Sequence, residues 1–164
     1  MGRRAAVVVR RLGDADVPTV LELNAESVLA LSPMGPEELA FYRTLTPHLL
    51  VAARDESVAA FSIAYEPGTA YPSVNYAWHG DRFDDFLYLD RIVVASAHRR
   101  RGIATVLYDE LESVARSRGR MVCEVNSDPP NLASLAFHAA RGYREVGHLR
   151  QRDGHETVML EKPL

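Results

Sequence analysis

Along this chain apolar residues recur every second position in some stretches and every third or fourth in others, and the two periods separate strands from helices. Ala5 to Arg11 is a β-branched outer strand. Asp14 stands as the cap of a helix over residues 15–30, with Val17, Val20, Leu21 and Leu23 as its apolar positions. Ser32 or Pro33 interrupts it, and Pro36 suits the first turn of a second helix, Pro36 to Leu45. LLVAA (49–53) and SVAAFSIAY (57–65) predict two strands joined by a tight turn around Arg54, Asp55 and Glu56. Glu66 to Asp85 is rich in Gly, Pro, Tyr and Asn and is taken as a long connection, functional or mobile. Its Tyr71, Tyr76 and Trp78 either line a pocket or cover the core.

FLYLDRIVV (86–94) is the longest strand-like run. Strict alternation puts Phe86, Tyr88, Asp90, Ile92 and Val94 on one face and Leu87, Leu89, Arg91 and Val93 on the other. Both faces are mostly apolar, as in a central strand covered on both sides, so the charged pair Asp90–Arg91 is anomalous: a buried ion pair or a catalytic group. Ile103, Leu107, Leu111 and Val114 then mark a helix that Gly119 closes. A strand Met121 to Val125, the loop NSDPPN, a helix from about Ser134 to Ala140, and strands near Tyr143 to Gly147 and Thr157 to Glu161 complete the chain. The order predicts a mixed α/β (α+β) domain around one central sheet.

The length of 164 residues suits a single domain, 1–164. Acidic residues outnumber basic ones, 22 to 19, which argues against nucleic acid as a partner. Cys123 is the only cysteine; it lies in the apolar run MVCEV, where a buried inert thiol is expected, and no cysteine-built metal site is possible, so none is assigned. No apolar run approaches a membrane span, AAVVV is too short for a signal-peptide core, and Ala6 replaces the Ser/Thr of a myristoylation site. A soluble cytoplasmic protein, monomer or homodimer, is the expectation.

Against this acidic background HRRRGIATVLYDELE (98–112) is a local exception. Arg99, Arg100 and Arg101 precede a helix whose N-terminus is already positive, where carboxylates are normally favoured. A strand, a cationic turn, Gly102 and then a helix form a cradle for a pyrophosphate: unpaired backbone N–H groups point outward, Gly102 admits a close approach, and Ala104 is the next smallest choice. The Walker and dinucleotide glycine motifs are absent.

Arg99-x-x-Gly102-x-Ala104 resembles the acyl-coenzyme A signature [RQ]-x-x-G-x-[GA] of the GNAT superfamily of N-acetyltransferases. NLASLAFHAARGYREVG (131–147) is similar to a second GNAT segment, N-x-x-A-x-x-F-Y-x-x-x-G-F, with Asn131, Ser134, Phe137, Gly142 and Tyr143 in register. DRIVV and EVN-x-x-PPN-x-x-S-x-x-FH resemble a bacterial GNAT subgroup, mostly of unassigned substrate. The resemblance is sharp over residues 86–148 and looser before them. It implies a twisted mixed sheet of about six or seven strands, with two parallel strands splaying apart, flanked by about four helices.

The resemblance also implies an activity: acetyl transfer from acetyl-CoA to an amine by direct attack in a ternary complex. Backbone groups at Ile92, Val93 and Val94 would pair with the pantetheine arm, and those of Arg99, Arg100, Arg101, Gly102, Ile103, Ala104 and Thr105 would surround the pyrophosphate. Asn131, Ser134, Phe137 and His138 would contact the cofactor's other side. His138 departs from the pattern, standing where many members carry the tyrosine that protonates the leaving thiolate; it serves as that acid, contacts the cofactor, or satisfies its own helix. Asp90, Glu124 and Glu26 are the candidate bases, with a water chain as their substitute. The acceptor is an unidentified small-molecule or peptide amine. A coenzyme-A-binding regulatory module without turnover is the alternative, and a nucleic-acid-associated protein the remoter one.

Overall fold

A computed structural model describes residues 6–27 and 31–164. Seven strands make one sheet in the order β1-β2-β3-β4-β5-β7-β6: β1 (Val8–Arg11), β2 (Leu49–Arg54), β3 (Ser57–Tyr65), β4 (Leu87–Val94), β5 (Arg120–Asp128), β6 (Arg144–Arg150) and β7 (Glu156–Pro163). Five α-helices accompany them among the described residues: α1 (Val17–Glu26), α2 (Pro36–Leu45), α3 (Val74–Gly80), α4 (Ile103–Ala115) and α5 (Leu132–Arg141). The start of the predicted first strand at Ala5, and residues 28–30 of the predicted first helix, lie outside the described residues. Helix α1 begins later than expected because Asp14–Asp16 form a 3₁₀ turn. There Asp16, not Asp14, accepts the Gly13 N–H at 2.7 Å and pairs with Arg10 at 2.6 Å.

Two further findings correct the expectations. Within the supposed long loop, Ser73 caps α3 by accepting the Tyr76 N–H, and Tyr76 and His79 are buried. Strand β4 does not alternate strictly: its register against β3 passes from Leu89↔Ala64 to Arg91↔Ile63, so Asp90 is the extra residue of a β-bulge. The bulge reverses the phase. Leu87 and Leu89 before it, and Ile92 and Val94 after it, all pack in the core under α4 and α5, whereas Phe86, Tyr88 and Val93 join the core under α1, α2 and α3.

Every strand pairing is antiparallel except β4–β5. Those two parallel strands meet only at Leu87↔Met121 and Tyr88↔Val122, after which β5 continues beside β7 alone. The sheet therefore opens into a wedge in its middle, and the Asp90 bulge sits at its apex.

Candidate active site

Two walls of the wedge are backbone. The Ala95 N–H donates to the Ala59 carbonyl of β3 at 2.8 Å. By the alternation of an antiparallel ladder Val93 also faces β3, and the N–H and C=O groups of Ile92 and Val94 face the wedge. Apart from the Val94 carbonyl, which accepts from Arg99, they form a strand edge without a strand partner that an extended amide-bearing chain can extend. Val93 is set apart from its neighbours: its backbone is spent on β3 and its side chain is buried.

Beyond the open end of β4, Arg99, Arg100 and Arg101 are exposed, and Arg99 Nε donates to the Val94 carbonyl at 3.3 Å. Gly102 caps α4 with φ +77°, a left-handed conformation that glycine adopts without strain, and a Cβ built there meets nothing within 4 Å. The first helical bond runs from Val106 N–H to the Gly102 carbonyl at 3.2 Å, so the amides of Ile103, Ala104 and Thr105 precede it. The geometry fits a diphosphate: open space over a glycine, three amides and three guanidinium groups.

The opposite face of the wedge is closed by α3. Glu124 lies on β5 two residues beyond the last parallel pair, as Asp90 does on β4. Its Oε1 accepts from Tyr88 Oη at 2.8 Å and from Asn75 Nδ2 at 3.0 Å, and Gln151 Nε2 holds the Asn75 carbonyl at 2.8 Å. Burial, reinforced by the charge of Asp90, pushes the Glu124 carboxyl up to about 8 against these two hydrogen bonds. A carboxyl at this value can exchange a proton near neutral pH.

Asp90 is committed elsewhere. It accepts from Tyr71 Oη at 2.8 Å and from Arg91 Nε at 2.7 Å. Arg91 also reaches Asn24 Oδ1 and Ser32 Oγ, tying the bulge to α1 and to the chain before α2. Burial opposes the Arg91 charge, but Asp90 outweighs it and raises the guanidinium further. Glu26 is exposed at the end of α1 and joins none of these bonds. Of the three candidate bases, Glu124 lies at the wedge with no Lys or Arg ion pair to hold it among the described residues, whereas Asp90 is bonded to Arg91 and Glu26 lies apart.

His138 is buried on α5 with both ring nitrogens engaged: Nδ1 lies 2.7 Å from the Ser134 carbonyl and Nε2 lies 2.7 Å from Tyr108 Oη. The carbonyl can only accept, so Nδ1 carries the proton and Nε2 accepts from the tyrosine. Burial lowers its proton affinity, partly offset by the Ser134 carbonyl. Asn131 caps α5 by accepting the Ser134 N–H at 3.2 Å, and Phe137 packs on Tyr108. These sequence-marked residues thus organise the helix beside the wedge. Among the described residues no three His, Cys, Asp or Glu side chains gather as a metal site.

The sequence profile of the acetyltransferase (GNAT) family matches residues 18–143, most of the chain. The chain belongs to the GNAT acetyltransferase family. GNAT structures superpose on it over nearly their whole length. Ard1 from Thermoplasma volcanium has a TM-score of 0.77 at 15% identity, covering 97% of this chain and 98% of that one. Ribosomal-protein-alanine N-acetyltransferase from Brucella melitensis has 0.71 at 25%, covering 96% and 99%. YncA from Salmonella typhimurium, solved with its cofactor acetyl-CoA, has 0.70 at 19%, covering 96% and 94%. No curated protein matches this chain in sequence. The GNAT wedge needs parallel strands that part, and here they part at Tyr88 and Val122. What the sequence reading missed is α3 with Asn75 and His79; the only signal was Ser73 three residues before Tyr76, a weak N-cap pattern.

Proposed function

We propose that this GNAT protein acetylates a primary amine, of a small molecule or a peptide N-terminus, with acetyl-CoA as donor and Glu124 as general base. The observation that carries the proposal is Glu124 at the apex of the wedge, with Oε1 held by Tyr88 and Asn75 and Oε2 buried without a hydrogen bond. Acetyl-CoA, when bound, supplies an activated thioester. The edge groups of Ile92 and Val94 hold the pantetheine amides; Arg99 to Thr105 hold the diphosphate. The amine enters from the face of α1, α2 and α3, loses a proton to Glu124 and presents its lone pair to the carbonyl. A backbone N–H beside the bulge stabilises the developing oxyanion. A thiolate, with a reference pKa of about 8.5, departs near neutral pH without an obligatory acid. A regulatory module without turnover has no use for a carboxyl tuned in this way, which favours the enzyme.

The test is acetyl-CoA turnover against a panel of small amines and N-terminal peptides. Because the base acts only when ionised, kcat/KM should climb with pH and level off above about 8. Glu124→Gln should lower it by about 10²–10⁴-fold and abolish that limb. A Glu124→Gln enzyme with wild-type rates and pH profile would remove Glu124 from the mechanism.

A further inference from the structure

Helix α3 carries a buried histidine whose ring nitrogens find no side-chain hydrogen bond among the described residues. His79 is fully buried; the Cys123 carbonyl of β5 lies against its ring and favours its proton, but neither nitrogen reaches hydrogen-bond geometry. Glu124 Oε2 is likewise buried and unpartnered, and it lies 3.9 Å from His79 Nε2. Buried polar atoms are seldom left unpaired, because each one forfeits its hydration. Two such atoms facing each other just beyond hydrogen-bond reach are best understood as one bond that is open in this state.

With Glu124 as the base of the preceding section, we propose that His79 is its positioning residue: Nε2–H closes onto Oε2 when Glu124 ionises and opens when it is protonated. Oε1 is already held by Tyr88 and Asn75, so closure gives the carboxylate three donors and fixes its direction toward the wedge. No bond beyond the hydrogen bond is made; the proton gained by Glu124 comes from the acceptor nitrogen.

The surroundings suit this role. Tyr88 on β4 and Asn75 on α3 bond Glu124, and the charges of Asp90 and Arg91 on β4 act on it. Around the His79 ring stand Trp78, Phe83 and Tyr88, with Arg82 and the Cys123 carbonyl beside them. Burial, helped by the Arg82 charge and opposed by the Cys123 carbonyl, pushes His79 down to about 4, so the ring stays neutral while Glu124 titrates. A neutral imidazole donates one hydrogen bond without adding a buried charge to the site.

The experiment titrates the full-length chain by NMR, with ¹³C-labelled Glu carboxyls assigned through Glu124→Gln and with ¹⁵N-labelled histidine. The His79 Nε2 resonance should move at the Glu124 midpoint in the wild type and stay flat there in Glu124→Gln. His79→Phe should raise the Glu124 midpoint by about one to two pH units, the shift expected for losing one hydrogen bond to a charged group. His79→Gln, which keeps an amide donor, should bring it back toward wild type. A wild-type ring that stays flat through the Glu124 midpoint overturns the proposal without any His79 variant, and so does an unmoved midpoint in folded His79→Phe. If the midpoint moves while the acid limb of kcat/KM stays in place, the pairing stands as a contact and Glu124 is not the base.

Discussion

Replacing His138 by phenylalanine separates a structural from a catalytic role for the residue that departs from the family pattern. The ring volume is kept, so little cavity forms, but Nε2 no longer accepts from Tyr108 Oη, a hydroxyl on a residue 2% exposed. A buried donor left without its acceptor costs about 1–3 kcal/mol. For a chain of this length each kcal/mol lowers Tm by about 2–4 °C, so the expected loss is roughly 2–12 °C at neutral pH. The pH dependence adds a second mark. The folded state disfavours the proton on His138, so its contribution is complete above the unfolded value of about 6.5 and is lost as pH falls below it. That part of the acid slope should vanish in His138→Phe. Tyr108→Phe removes the donor instead, and the double variant leaves no orphan hydroxyl. The double variant should therefore be more stable than the sum of the two single losses predicts. Denaturation melts with kcat measured on the same four proteins decide the matter. If His138→Phe keeps the wild-type Tm while kcat falls by about 10²-fold or more, the residue serves the leaving thiolate and the structural account fails.

Two further outcomes test the ends of the wedge. Gly102→Asp should still fold, at a cost of about 1–2 kcal/mol because a side chain at φ +77° is strained even where its Cβ meets nothing within 4 Å, yet lose acetyl-CoA binding because its carboxylate competes with the diphosphate; normal binding by calorimetry would put the cofactor elsewhere. Gly147→Ala should destabilise by about 1–3 kcal/mol in urea unfolding. Its Cβ would come within 2.5 Å of Trp78 Cζ2 on α3, and an unchanged midpoint would mean that the indole moves aside freely.

The sequence by itself determined the parts that local physics controls. Ile103, Leu107 and Leu111 specify α4 by their spacing, and Gly102 specifies an opening at its start. The segment from Asn131 to Tyr143 encodes its own cap and helix, because a side chain and the backbone three residues on suffice. The mixed sheet followed from strand and helix order. The tertiary structure decided the rest. A run as apolar as FLYLDRIVV is buried on both faces, so periodicity carries no information about its phase, and only pairing with β3 reveals the bulge at Asp90. Helix α3 is too short for a 3.6-residue period to emerge; it is held by Tyr76 in the core and by Trp78 against Gly147. Glu124 was one acidic residue in an apolar strand, indistinguishable by spacing from Asp90 or Glu26. Its character comes from burial and the charge of Asp90, against the hydrogen bonds of Tyr88 and Asn75; these groups are distant in sequence and gather only when α3 folds over the parting of β4 and β5, since desolvation is a property of the assembled neighbourhood.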